Sequence, residues 1–212
     1  MERPHIARLH GARFAADPGG FTRAVAAPKS CWDGRRWTVS VTGMQVRFER
    51  TDRRRYAVAV LRTRHGNLRL DPAPGYSDLI PHDLVHLVVE EEFGLRQGIF
   101  GQLAAGGNAG TFVPTDELRT KAWARQVERR NRSTGGDMGR SEDLAAQVYP
   151  RWLRHSGHLP GSHYVRQDPP PTDLTATDLE QAYKRLDALS RQWRAVAVGG
   201  AMTVIWPWPE RT

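Results

Sequence analysis

Asp78-Leu79-Ile80-Pro81-His82-Asp83-Leu84-Val85-His86-Leu87-Val88-Val89-Glu90-Glu91-Glu92-Phe93-Gly94 is the stretch on which the fold of this chain turns. At about 100° per residue, Ile80, Leu84, Val85, Leu87, Val88, Val89 and Phe93 cover most of a helical circumference. The spacing therefore predicts a helix over 78–93, central to the fold and largely buried. Asp78 or Ser77 offers an N-cap side chain, and Pro81 falls in the first turn, where a missing N–H is harmless. Gly94 with Leu95 supplies a left-handed stop and its apolar contact. One narrow polar stripe remains, made of His82, His86 and Glu90 at i, i+4 and i+8, with Asp83 beside it. A solvated stripe would carry Lys, Arg or Gln, and this helix has none of the three. Acid and imidazole on a buried helix point to a divalent metal ion, zinc first.

His82 and His86 stand one turn apart, so both rings can reach one ion at about 2.0–2.1 Å. The run His82-Asp83-Leu84-Val85-His86 resembles the H-E-x-x-H helix of zincin metalloproteases, in which both histidines bind zinc and the intervening Glu is the general base. The resemblance covers five residues and implies His82 and His86 as ligands. It departs at Asp83, one methylene shorter than the family's Glu, and nothing matches the metzincin extension beyond His86. The phrase P-H-D-L-x-H-x-x-V-E is also similar to one in small bacterial proteins of unassigned function, a likeness that implies little chemistry.

Glu90 lies about 6 Å beyond His86 along the axis, too far to share an ion held by both rings without strain. It fits better as an acceptor for a ligand imidazole, or as ligand to a second ion. Asp83 and Glu90 are thus the candidates for general base or orienting carboxylate. A third ligand must come from elsewhere, and the loop bearing His155, His158 and His163 is favoured, with His158 taken as the ligand. His65, Asp116 and Glu117 are the other candidates. Two buried imidazoles can equally be satisfied without an ion, each donating one N–H to Asp83, Glu90 or Glu91.

Outward from this helix, the N-terminal side reads as an antiparallel meander. Val39 and Val41, then Met44, Val46 and Phe48, alternate with polar residues. Tyr56 to Arg62 is apolar enough for burial on both faces, and Leu68-Arg69-Leu70 is a short strand that Pro72-Ala73-Pro74-Gly75 ends. Residues 1–34 lack a period and read as an irregular arm, leaving 35–212 as a single domain. On the C-terminal side, Arg96 to Ala105 predicts a short helix, followed by the small-residue run Gly106–Gly110, which could admit a ligand close to the backbone. Further helices are expected from Thr115 to about Arg132, and from a Ser141 cap onward with a kink at Pro150. A last helix is expected behind the capping box Thr177-x-x-Glu180. Ala201 to Trp206 reads as a final strand. The expected fold is α+β: a mainly antiparallel sheet of three to four strands packed by about four helices.

The single Cys31 excludes an intrachain disulfide framework, and a Cys–His nucleophile has no signature here. No G-x-S-x-G elbow occurs. Met1 to Gly20 has no apolar h-region and no run approaches a membrane span, so the expectation is a cytoplasmic protein with no membrane partner. The net charge is +8, nearly all from arginine, since the lysines are only Lys29, Lys121 and Lys184. A GC-rich coding sequence accounts for that number as readily as an anionic partner does. The arginines are spread out, without the aromatic interleaving of a single-strand binder. The first expectation is a metal-dependent hydrolase acting on an amide, peptide or ester of a small molecule or peptide, because a metal with an open position brings bound water to a pKa of about 7. The second is a non-enzymatic basic module for nucleic acid or an acidic partner, with the His stripe structural. A third is a small-molecule pocket at Gly106–Gly110.

Overall fold

Alternation along Gln45–Asp52 builds the centre of the sheet: Val46 and Phe48 are buried, while Gln45, Arg47 and Glu49 take the other face. The computed structural model describes residues 43–52, 54–116, 118–158 and 172–211. The elements in chain order are β1 (Gln45–Asp52), β2 (Arg55–Leu61), β3 (Leu68–Ala73), α1 (His82–Glu92), α2 (Ile99–Ala104), β4 (Val113–Pro114), α3 (Lys121–Thr134), α4 (Met138–His155), α5 (Ala176–Ala195) and β5 (Ala201–Ile205). The class is α+β, with five antiparallel strands in the order β4-β3-β2-β1-β5. The expected irregular arm over 1–34 and the alternation at Val39 and Val41 lie outside the described residues.

Register carries the apolar rows straight across the sheet. Val204, Val46, Val60 and Leu68 are cross-strand partners in turn, as are Met202, Phe48, Val58 and Leu70. These rows form one core with α1, α2, α4 and α5. The opposite face is tied by ions, with Arg47 on Glu49 at 3.0 Å and Arg69 on Glu49 and Asp71 at 2.8 and 2.9 Å. The strand count exceeds the three to four expected because β4 is only two residues long. β3 also runs on past the expected break, through a cis Asp71–Pro72 bond, to pair Ala73 with Tyr56.

α1 packs against α4, α5 and α2. Its N-cap is Pro81, three residues after Asp78 and four after Ser77, the caps expected from the sequence. The reason is α5: Trp193 Nε1–H donates to the Ser77 carbonyl and Ser190 Oγ–H to the Leu79 carbonyl, holding 77–79 out of helical geometry. Asp78 instead accepts from the Tyr76 hydroxyl. The stop is as expected. Gly94 has φ +68, Gly94 N–H donates to Glu91 and Leu95 N–H to Glu90, the paired bonds of a Schellman motif.

Candidate metal centre

The first turns of two helices meet here. α1 supplies His82 and His86 on one face, and α4 crosses with Ser141 and Glu142 adjacent in sequence. His82 Nε2 and His86 Nε2 are 3.1 Å apart, their rings nearly perpendicular at 89°. Glu142 Oε2 lies 3.6 Å from His86 Nε2. One ligand atom from each of the three residues falls within 4.8 Å of the others. A tetrahedral ion with bonds of about 2.05 Å sets its ligand atoms about 3.3 Å apart, a value that the two short separations bracket. His86 is buried at 1 % exposure, whereas the Glu142 side chain is 63 % exposed, so the group opens to solvent on the Glu142 side.

Behind His86 a chain of hydrogen bonds runs from the ring through Ser141 to Glu90. Glu90 is fully buried, and its carboxylate accepts from the N–H groups of Ile99 at 2.6 Å, Phe100 at 2.9 Å and Gly101 at 3.3 Å, capping α2 from outside. It also accepts from Ser141 Oγ at 2.9 Å. When Glu90 is ionised it can only accept, so the Ser141 proton is then committed to Glu90. Ser141 Oγ, 3.0 Å from His86 Nδ1, must then accept the Nδ1–H, which leaves the Nε2 lone pair facing His82 and Glu142. Burial, aided by the charge of His82, pushes the His86 pKa down to about 3, so the ring is neutral at physiological pH. Two partners can satisfy that lone pair: the Nε2–H of His82, or a cation held between the groups.

Of the other expected site residues, Asp83 is turned away. One residue on from His82, it points to the sheet, where its Oδ2 meets the Tyr56 hydroxyl, which also reaches the Pro74 carbonyl. Burial raises both the Asp83 and Tyr56 pKa values. Glu90 reaches the imidazoles only through Ser141, not directly. His158 follows the far end of α4, its ring against Trp152 at 5.9 Å. Glu142 sits in the first turns of that 18-residue helix, which puts roughly 20 Å of axis between it and the His158 end. His155 packs on Tyr183, His65 Nε2 contacts the Arg211 carbonyl, and Asp116 accepts from Asn67 N–H. His163 and the Glu117 side chain lie outside the described residues, as do His5, His10 and Cys31. The start of the Gly106–Gly110 loop is filled by protein, whereas a Cβ at Gly110 would meet nothing within 4 Å. A Cβ at Gly106 would meet His65 and Arg130, and one at Gly107 would meet Asn131 and Gln102.

Ser141 and Glu142 read only as a helix cap with an acidic neighbour, whereas α4 begins three residues earlier behind Asp137, and what joins them to His86 is the packing of α4 on α1. Compared with known protein families, curated proteins and solved structures, the chain matches none. Among the described residues, no helix is long and apolar enough to cross a membrane.

Proposed function

We propose that this chain is a metal-dependent hydrolase in which His82, His86 and Glu142 hold a divalent ion, zinc first. The observation that carries the reading is the convergence of those three ligand atoms within 4.8 Å, with His86 Nδ1 engaged by Ser141, itself held by Glu90, and His86 Nε2 facing the group. Two imidazoles and one carboxylate are a donor set that suits zinc. The ion would supply a water with a pKa of about 7 and an electrophile for a carbonyl oxygen. With bound water so acidified, no protein base is required to ionise it at neutral pH, and Asp83, engaged by Tyr56, is given no such role here. The exposed side of Glu142 is where a peptide or small-molecule amide or ester would enter.

The test is elemental analysis of protein purified without a polyhistidine tag, together with melting in chelator. We expect one equivalent of zinc or a similar ion per chain, loss of that ion in His86→Ala and Glu142→Ala, and a melting temperature that falls in chelator. Metal-free protein that melts identically with chelator and with added zinc would sink the proposal. It would leave the two imidazoles as a hydrogen-bonded pair.

A further inference from the structure

The helix α3 carries a charge pattern that stability alone does not account for. Lys121, Arg125, Arg129 and Arg132 follow one another at i, i+4, i+8 and i+11, which gathers them within about 80° of the helical wheel over roughly 16 Å. Lys121, Arg125 and Arg129 are exposed, and among the described residues no carboxylate pairs with any of them. Glu128 is the single acid of the helix, and it holds Arg132 at 2.6 Å. The helix packs on α2 and buries Trp123 and Val127 on the side away from the basic row, which faces solvent.

Like charges at i, i+4 destabilise a helix by about 0.2–0.5 kcal/mol per pair, and a cation in the first turn opposes the helix dipole. α3 accepts both, with Lys121 as its first residue. A coding bias toward arginine would act on every helix alike, yet α5 interleaves its charges. There Asp178, Glu180 and Asp187 are interspersed with Lys184, Arg185, Arg191 and Arg194, Lys184 meets Glu180 at 2.8 Å, and Arg185 meets Glu91 at 2.9 Å. The row is therefore a local feature of α3. An anionic membrane is a poor counterpart, because an interfacial helix inserts an apolar face and the apolar residues of α3 are already buried against the protein. A regular row of phosphates matches it, one cation facing the polyanion at each turn.

We propose that the Lys121–Arg125–Arg129–Arg132 row is a docking surface for the phosphate backbone of double-stranded nucleic acid. The proposal stands apart from the metal reading, so its test is run in chelator. The full chain is titrated onto a fluorescent mixed-sequence DNA duplex over a series of salt concentrations, and compared with two variants. The first is Lys121→Gln/Arg125→Gln/Arg129→Gln. The second, Lys184→Gln/Arg191→Gln/Arg194→Gln, removes the same formal charge from α5. Each phosphate contact contributes about 0.9 to the slope of log affinity against log salt. We expect wild-type binding at low salt that weakens steeply as salt rises. The slope should be shallower by roughly 2.7 in the α3 variant, with melting no lower than that of wild type, and retained in the α5 variant. No binding at low salt, equal loss in both variants, or preference for anionic vesicles over duplex would each overturn it.

Discussion

Glu90 is the side chain at which two neighbourhoods meet: it closes the N-terminus of α2 with three backbone N–H bonds and anchors Ser141 behind His86. Burial pushes its carboxyl up to about 7, against the donors that favour the charged form. The folded chain thus holds this proton more tightly than the unfolded chain, whose carboxyl titrates near its ordinary value of 4.5. Its contribution to stability is complete below about pH 4.5 and is lost as pH rises through about 7, a swing on the order of 3 kcal/mol. Glu90→Gln removes that proton, so the stability of wild type relative to the variant should fall between pH 5 and pH 8 in urea melts. A difference that is flat with pH would contradict this. At this scale the sequence was partly legible. The His82–His86–Glu90 stripe could be read from helical spacing, but the direction of Asp83 could not, because Tyr56 on β2 claims it. Nor could Ser141, which is 55 residues from its imidazole and reads equally well as a cap.

At the scale of elements, the approach to α1 determines where His82 stands. Gly75, at φ +70, accepts the His82 N–H on its carbonyl, and an added Cβ would lie 2.5 Å from His82 Cβ. Gly75→Ala should therefore strain the turn and move the ring. We expect destabilisation of about 1–2 kcal/mol and altered histidine-ring signals for both His82 and His86 by NMR. Unchanged melting and unchanged ring signals would show that the turn tolerates a side chain. The existence of each helix followed from apolar spacing or from cap and charge signals, whereas the ends did not, since neighbours compete for the same groups. Thr115 looked like the cap of α3, yet its N–H donates to Asn67 and Asp116 binds the Asn67 N–H, so the helix waits for Thr120, whose hydroxyl accepts from Trp123. The expected box at Thr177 is in fact Thr175 with Asp178, two residues earlier. Pro150 lies within an unbroken α4.

Across the whole molecule, the α+β class was legible because strand-period and helix-period segments are cleanly separated along the chain. The pairing of β5 with β1 was not, because alternation marks a strand without naming its neighbour. That pairing makes the C-terminal segment integral. Met202, Val204 and Trp206 are buried, and Glu210 accepts from the N–H groups of Thr63 and Arg64. A chain ending at Gly200 should lose its cooperative melt and collect in the insoluble fraction on expression. A soluble fragment that melts sharply would mean the remaining strands suffice. During synthesis, β1 and β2 can zip together early while the far rim of β1 stays bare until Ala201–Ile205 has emerged. Polysomes would then bring many such half-finished rims into one neighbourhood, and yield should depend more on translation density than on growth temperature.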